Sequence, residues 1–151
     1  MWMAMAKAAA SRSTCYRLNV GAVIVDASET TQRVVAVGYN GAPSGMPHCS
    51  GNGCQYFAPT GCKVTHAESN AIGQCLGREP GTHELYVTHS PCAACAQVVT
   101  ACGLFHSVFY ETAYRDSAPI KWLLAMEGLG VYQLLPSGFV VDAATGELCS
   151  L

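Results

Sequence analysis

Charge is scarce in this chain. Only 12% of its 151 residues are Asp, Glu, Lys or Arg, and 8 Lys and Arg against 10 Asp and Glu leave a formal net charge of −2. Such a chain has no broad basic field to hold a nucleic-acid backbone, although a small, locally bound anion stays open. Also missing is any run of roughly 18 or more apolar residues, the length a membrane span requires, so neither nucleic acid nor membrane is an expected partner. Met1 to Ala10 lacks an early positive region, and Lys7 interrupts its short apolar run. This segment therefore reads as an opening helix rather than a targeting peptide, and the expected location is cytoplasmic. No internal repeat is present, and no low-complexity tract beyond the early alanines.

Half of the residues are apolar, a balance that favours a folded chain over disorder. A length of 151 residues suits a single domain, 1–151, with a real core and one active site. The 9 cysteines fit either secreted disulfides or an intracellular metal protein. The odd count, the missing signal peptide and the local spacings favour metal.

An Ala/Met-rich stretch predicts a helix over Trp2 to Tyr16. Two β-branched runs, Val20 to Val25 and Arg33 to Tyr39, flank a polar turn and read as a hairpin. Asn40 to Lys63 is rich in Gly, Pro, Cys and Asn and supports no period, which predicts a long functional or ligand-held loop. Helices are expected at Val64 to Leu76, Cys92 to Cys102 and Pro119 to Glu127. Strands are expected at Leu85 to Thr88, Ser107 to Tyr110 and Val131 to Leu135. Strands alternating with helices after an antiparallel start imply an α/β fold with a mixed five-stranded sheet covered by helices.

Two short motifs carry the chemistry: His66-Ala67-Glu68 and Pro91-Cys92-Ala93-Ala94-Cys95, each opening a helix after a loop. Cysteines three apart in a first turn share one face, and the helix dipole there favours thiolates. With His66 they offer three soft or borderline ligands, the number typical of catalytic zinc, which keeps a fourth position open. Glu68 lies beside this group without closing it, placed to take a proton from attacking water and return it. The spacing of H-x-E and P-C-x-x-C is the known signature of zinc nucleobase deaminases. The alternative, a structural staple of two helices, has no use for Glu68 or Pro91.

Taken with Ser13-Thr14-Cys15-Tyr16-Arg17, Val20 to Val25, Gly38 to Gly45, His66 to Ile72 and Tyr86 to Cys92, these motifs resemble the deoxycytidylate (dCMP) deaminase family of the cytidine deaminase-like superfamily. The resemblance runs from about Ser11 to Leu135. It implies a three-layer α/β/α fold and zinc-dependent conversion of dCMP to dUMP and ammonia, feeding thymidylate synthesis. It also implies a sugar contact from Asn40, whose other reading is a turn residue before Gly41. Tyr114 is expected to cover the base or touch the phosphate, the other reading being an ordinary half-buried tyrosine. Ser90 and Asn19 are further substrate contacts. For the 5′-phosphate the cations available are Arg12, Arg17, Lys63, Lys121 and Arg115, with Arg115 first because it adjoins Tyr114.

Some relatives hold a structural zinc in the Cys-rich insert, which here corresponds to Cys15, Cys49, Cys54 and Cys62, with His48 competing with Cys62. The alternative is buried free thiols. Many members form hexamers activated by dCTP and inhibited by dTTP, with Mg2+ accompanying the triphosphates. The loop Gly41, Ala42, Pro43, Ser44 and Gly45 lies in the region such effectors use. A tRNA adenosine deaminase shares the two motifs, but the tail from Pro136 to Leu151 has no Lys or Arg to serve RNA. An inactive zinc-bound regulatory module is the non-enzymatic rival, and the intact Glu68 speaks against it.

Overall fold

Short apolar, β-branched runs in this chain become strands, and the computed structural model joins seven strands in one mixed sheet. It describes residues 1–28, 30, 32–43, 45–49, 64–75 and 77–149. The strands are β1 (Gly21–Asp26), β2 (Arg33–Tyr39), β3 (His83–His89), β4 (Phe105–Thr112), β5 (Gly130–Leu134), β6 (Val140–Asp142) and β7 (Leu148–Cys149). Their spatial order is β2-β1-β3-β4-β5-β6-β7. β1 pairs antiparallel with β2 and β3. β3, β4 and β5 run parallel, as expected where a helix separates consecutive strands.

The helices are α1 (Trp2–Ala10), α2 (Ala67–Ile72), α3 (Ala93–Cys102) and α4 (Ala118–Leu124). Successive strand residues face opposite sides of a sheet, and the core divides accordingly. Ala22, Ile24, Leu85, Val87, Val108 and Tyr110 pack with Ala67, Ala71, Ala96, Val99 and Leu123 from α2, α3 and α4. Val23, Val25, Tyr86 and Phe109 pack with Met3 and Ala6 of α1 on the other side. The result is three layers, α/β/α. On the α1 side Tyr86 stacks on Phe109 and Phe109 on Tyr132, with centroids 4.6 and 5.0 Å apart.

Two glycines set how closely helices approach the sheet. A Cβ on Gly21 would fall 1.9 Å from the Ala6 carbonyl oxygen of α1, and one on Gly38 would fall 2.2 Å from that of Ala67 in α2. Side chains of α2 also reach the outer edge of β2. Asn70 Nδ2 donates to Tyr39 O at 2.8 Å, and Gln74 Nε2, just past the helix, donates to Val37 O at 2.8 Å.

The fold class is the expected one, but the sheet has seven strands rather than five. β6 and β7 come from the tail, where runs of three and two residues are too short to show a period. α1 ends at Ala10, six residues before Tyr16. Beyond it, Ser13 and Thr14 bond to the Asn40–Ala42 backbone and draw the chain out of the helix. α2 starts at Ala67 because Thr65 is held extended by a two-way backbone bridge to Gly41. α4 stops at Leu124, ahead of Gly128 at φ +79°.

Candidate metal centre and substrate cleft

The carboxyl ends of β3 and β4 meet the starts of α2 and α3, where a parallel sheet ordinarily presents its site. His66 is the N-cap of α2 and Cys92 the N-cap of α3, both in extended backbone, and Cys95 lies in the first turn of α3. Three ligand atoms converge there. His66 Nδ1 is 3.2 Å from Cys95 Sγ and 3.4 Å from Cys92 Sγ. The ligand atoms of all three residues lie within 4.8 Å of one another, the only such group among the described residues.

Their electrostatics show what this convergence favours. The Cys92 thiol is lowered to about 3, first by its hydrogen bonds with Cys95 and His66. Cys95 is pushed strongly up, first by Cys92 and then by burial. Cys92 is thus the readier thiolate of the two, and metal binding favours the deprotonated form of both. His66 is raised by its Cys92 neighbour. Two sulfurs and an imidazole nitrogen at this separation fit tetrahedral zinc with one position left over. Glu68 is 4% exposed, and burial lifts its carboxyl above the ordinary value. A carboxyl so placed exchanges a proton more readily near neutrality than an exposed one.

Beside this group opens a cleft of about 340 Å³. Asn40, Ser90, Tyr114 and Arg115 line it, as do His66, Glu68 and Cys92. Asn19 is exposed and lies outside the lining, although its neighbours Leu18 and Val20 belong to it. Asn40 is almost wholly committed to the protein. Its Oδ1 accepts from Ser13 Oγ at 2.6 Å and Val20 N at 2.8 Å, and its Nδ2 donates to Leu18 O at 2.7 Å. One N–H is left for a ligand. Asn40 thereby holds the segment bearing Cys15, Arg17 and Leu18 as a wall of the cleft. Ser90 Oγ accepts from Tyr114 N at 2.7 Å and fixes the opposite turn.

Of the remaining expected residues, Gly41, Ala42, Pro43 and Gly45 do not line the cleft, though Gly41 is bridged to Thr65, next to His66. Ser44, Cys54, Cys62 and Lys63 lie outside the described residues. Cys15 is in the cleft wall rather than in any second cluster among the described residues, and Cys49 is half-buried. Arg12 and Lys121 do not line the cleft, whereas Arg17 does. Sequence reasoning passed over His89. Strand alternation would have found it, since it follows Leu85 and Val87 on the face that α2 and α3 cover.

No helix among the described residues is long and apolar enough to cross a membrane. ComE operon protein 2 of Bacillus subtilis is 36% identical over 151 residues, covering 99% of this chain and 77% of its own length. The deoxycytidylate deaminase of Mycobacterium phage D29 is 37% identical over 119 residues, covering 72% of this chain and 90% of its own. The dCMP deaminase of cyanophage S-TIM5, solved in complex with dCMP and dUMP, superposes with a TM-score of 0.71 at 31% identity. That superposition covers 87% of this chain and 93% of the phage chain. The family model for the cytidine and deoxycytidylate deaminase zinc-binding region matches residues 1–112, a span that contains His66, Glu68, Cys92 and Cys95. With the ligand triad and the buried glutamate both inside it, the chain belongs to the cytidine and deoxycytidylate deaminase family.

Proposed function

We propose that this protein hydrolyses the 4-amino group of dCMP to give dUMP and ammonia. The observation that carries the reading is the His66, Cys92 and Cys95 triad at the cleft, with the buried Glu68 beside it. Zinc held by these three residues supplies Lewis-acid activation of water at neutral pH. Glu68 takes a proton from the attacking water as oxygen adds to C4, and delivers it to N3. A second transfer through Glu68 carries the proton of the new C4 hydroxyl to the 4-amino group, which leaves as ammonia while C4 becomes a carbonyl. Asn40 gives its remaining N–H to the sugar, Ser90 and Tyr114 shape the wall beside the base, and Arg17 and Arg115 supply charge for the phosphate. Asn19, between the lining residues Leu18 and Val20, is a further substrate contact that rests on family resemblance.

The decisive experiment compares ammonia release from dCMP, deoxycytidine, dCTP and an adenosine-containing tRNA. Preference for dCMP is expected, with Glu68→Gln losing turnover while keeping its zinc. Activity confined to tRNA would move the protein to the adenosine deaminases, and no activity on any substrate would revive a regulatory role for the zinc module.

Control by dCTP and dTTP, with Mg2+ on the triphosphates, extends this reading. Its support is the Gly41–Thr65 bridge, which gives an occupant of the Gly41 to Gly45 loop a direct route to His66. Equal activity with and without either nucleotide would remove it. Hexamer formation rests on family resemblance and is checked by light scattering. A second zinc would draw on Cys15, Cys49, Cys54 and Cys62; two ions per chain, falling to one in Cys54→Ser, is the result that supports it. The seven described cysteines are all free thiols, which suits a reducing cytoplasmic setting.

A further inference from the structure

Resting on the dCMP reading above, we propose that His89 is a specificity-determining residue that donates a hydrogen bond to the 5′-phosphate, so that the cleft distinguishes nucleotide from nucleoside.

Position is the first support. His89 ends β3 and lines the cleft. In the parallel ladder it stands opposite Thr112, the residue before the Ala113 to Arg115 turn, and its neighbour Ser90 holds Tyr114 N. His89, Tyr114 and Arg115 therefore enter the cleft lining from adjacent strand ends, those of β3 and β4.

The proton inventory is the second support. Thr88 Oγ1 accepts from Gly21 N at 3.2 Å and lies 3.2 Å from His89 Nδ1. Thr88 is buried, and its contact with the ring occupies Nδ1 in either tautomer. Nε2 makes no hydrogen bond among the described residues and is the ring nitrogen left for a ligand. Burial holds the ring below its ordinary pKa against the opposing pull of Glu111. Glu111 is itself paired to Lys7 Nζ of α1 at 2.5 Å.

Donor economy is the third. Among the described lining residues the guanidinium and imidazole donors are Arg17, Arg115, His66 and His89, and His66 belongs to the metal triad. A phosphate presents three terminal oxygens, and His89 completes the set of donors that the two arginines begin.

The test is a substrate comparison on zinc-loaded enzyme. Hydrogen bonds to charged groups predict that His89→Ala lowers the ratio of kcat/KM for dCMP over deoxycytidine by about 10- to 100-fold, mainly through a higher KM for dCMP. His89→Gln, which keeps an N–H near the Nε2 position, should recover part of the ratio. Equal losses on both substrates, or a ratio unmoved in a variant with wild-type zinc content and unfolding midpoint, would overturn the assignment while leaving the dCMP reading intact. A wild type that does not prefer dCMP over deoxycytidine would overturn both.

Discussion

Gly38 offers a direct test of whether catalysis depends on how closely α2 lies on the sheet. A Cβ there would sit 2.2 Å from Ala67 O and 2.7 Å from Ala71 N, both backbone atoms of α2. Real Cβ contacts stay beyond 3.0 Å, so Gly38→Ala must displace α2 or β2 by about 0.8 Å, the difference between 3.0 and 2.2. Overpacking of this kind typically costs about 1–3 kcal/mol. Ala67 lies between His66 and Glu68, so the same displacement moves a metal ligand and the proton-transfer group together. A misplacement near 1 Å at a reacting centre typically costs about 100-fold in rate. The control is on the same segment: a Cβ on Gly73 meets Ser69 O at 3.4 Å and Asn70 O at 3.9 Å, both ordinary contacts, and Gly73 has helical φ −57°. Gly73→Ala should be neutral or stabilising by about 0.4–1 kcal/mol. Urea unfolding, zinc content and kcat with dCMP are the measurements. Wild-type stability and kcat in Gly38→Ala would refute the reasoning, because the close approach would then be idle.

Other consequences follow from the same structure. Glu68→Gln should lower kcat on dCMP by about 100- to 10,000-fold, the range typical of lost general acid–base catalysis, while zinc analysis still finds the catalytic ion. Cys95→Ala removes a buried ligand and should release zinc to a chelator that leaves the wild type loaded. Asn40→Ala strands Val20 N and Leu18 O and frees the Cys15 to Leu18 wall, with an expected loss of about 1–3 kcal/mol and a higher KM for dCMP. Tyr86 is pushed above its ordinary pKa by burial and by its 2.9 Å hydrogen bond to Glu84. The unfolded chain therefore loses this proton first, and stability present below pH 10 should decline above it, by about 1.4 kcal/mol per pH unit from this residue alone. Tyr86→Phe should flatten that alkaline slope, and an identical slope in the variant would argue against it.

What was legible in the sequence is what is local. His66, Glu68, Cys92 and Cys95 declare themselves by spacing, because each motif sits within one helix start. β1 to β5 declare themselves by β-branched runs. The double commitment of Asn40 was not legible, because its partners Ser13 and Val20 are 27 and 20 residues away. The premature end of α1 has the same cause: Ser13 and Thr14 are compatible with a helix until the Asn40–Ala42 backbone is present to compete for them. Seven strands rather than five reflects length, since β7 has two residues and exists only through pairing with β6.

The hydrogen bonds from Asn70 and Gln74 to the outer carbonyls of β2 bear on assembly. β2 is an end of the sheet, and an uncovered end invites another strand to add to it. Here the two carbonyls such a strand would seek are already taken by the segment that carries His66 and Glu68. A strand docking on this edge would have to share those carbonyls with the side chains of Asn70 and Gln74 or displace them, so sheet-to-sheet association there would act directly on how α2 is held.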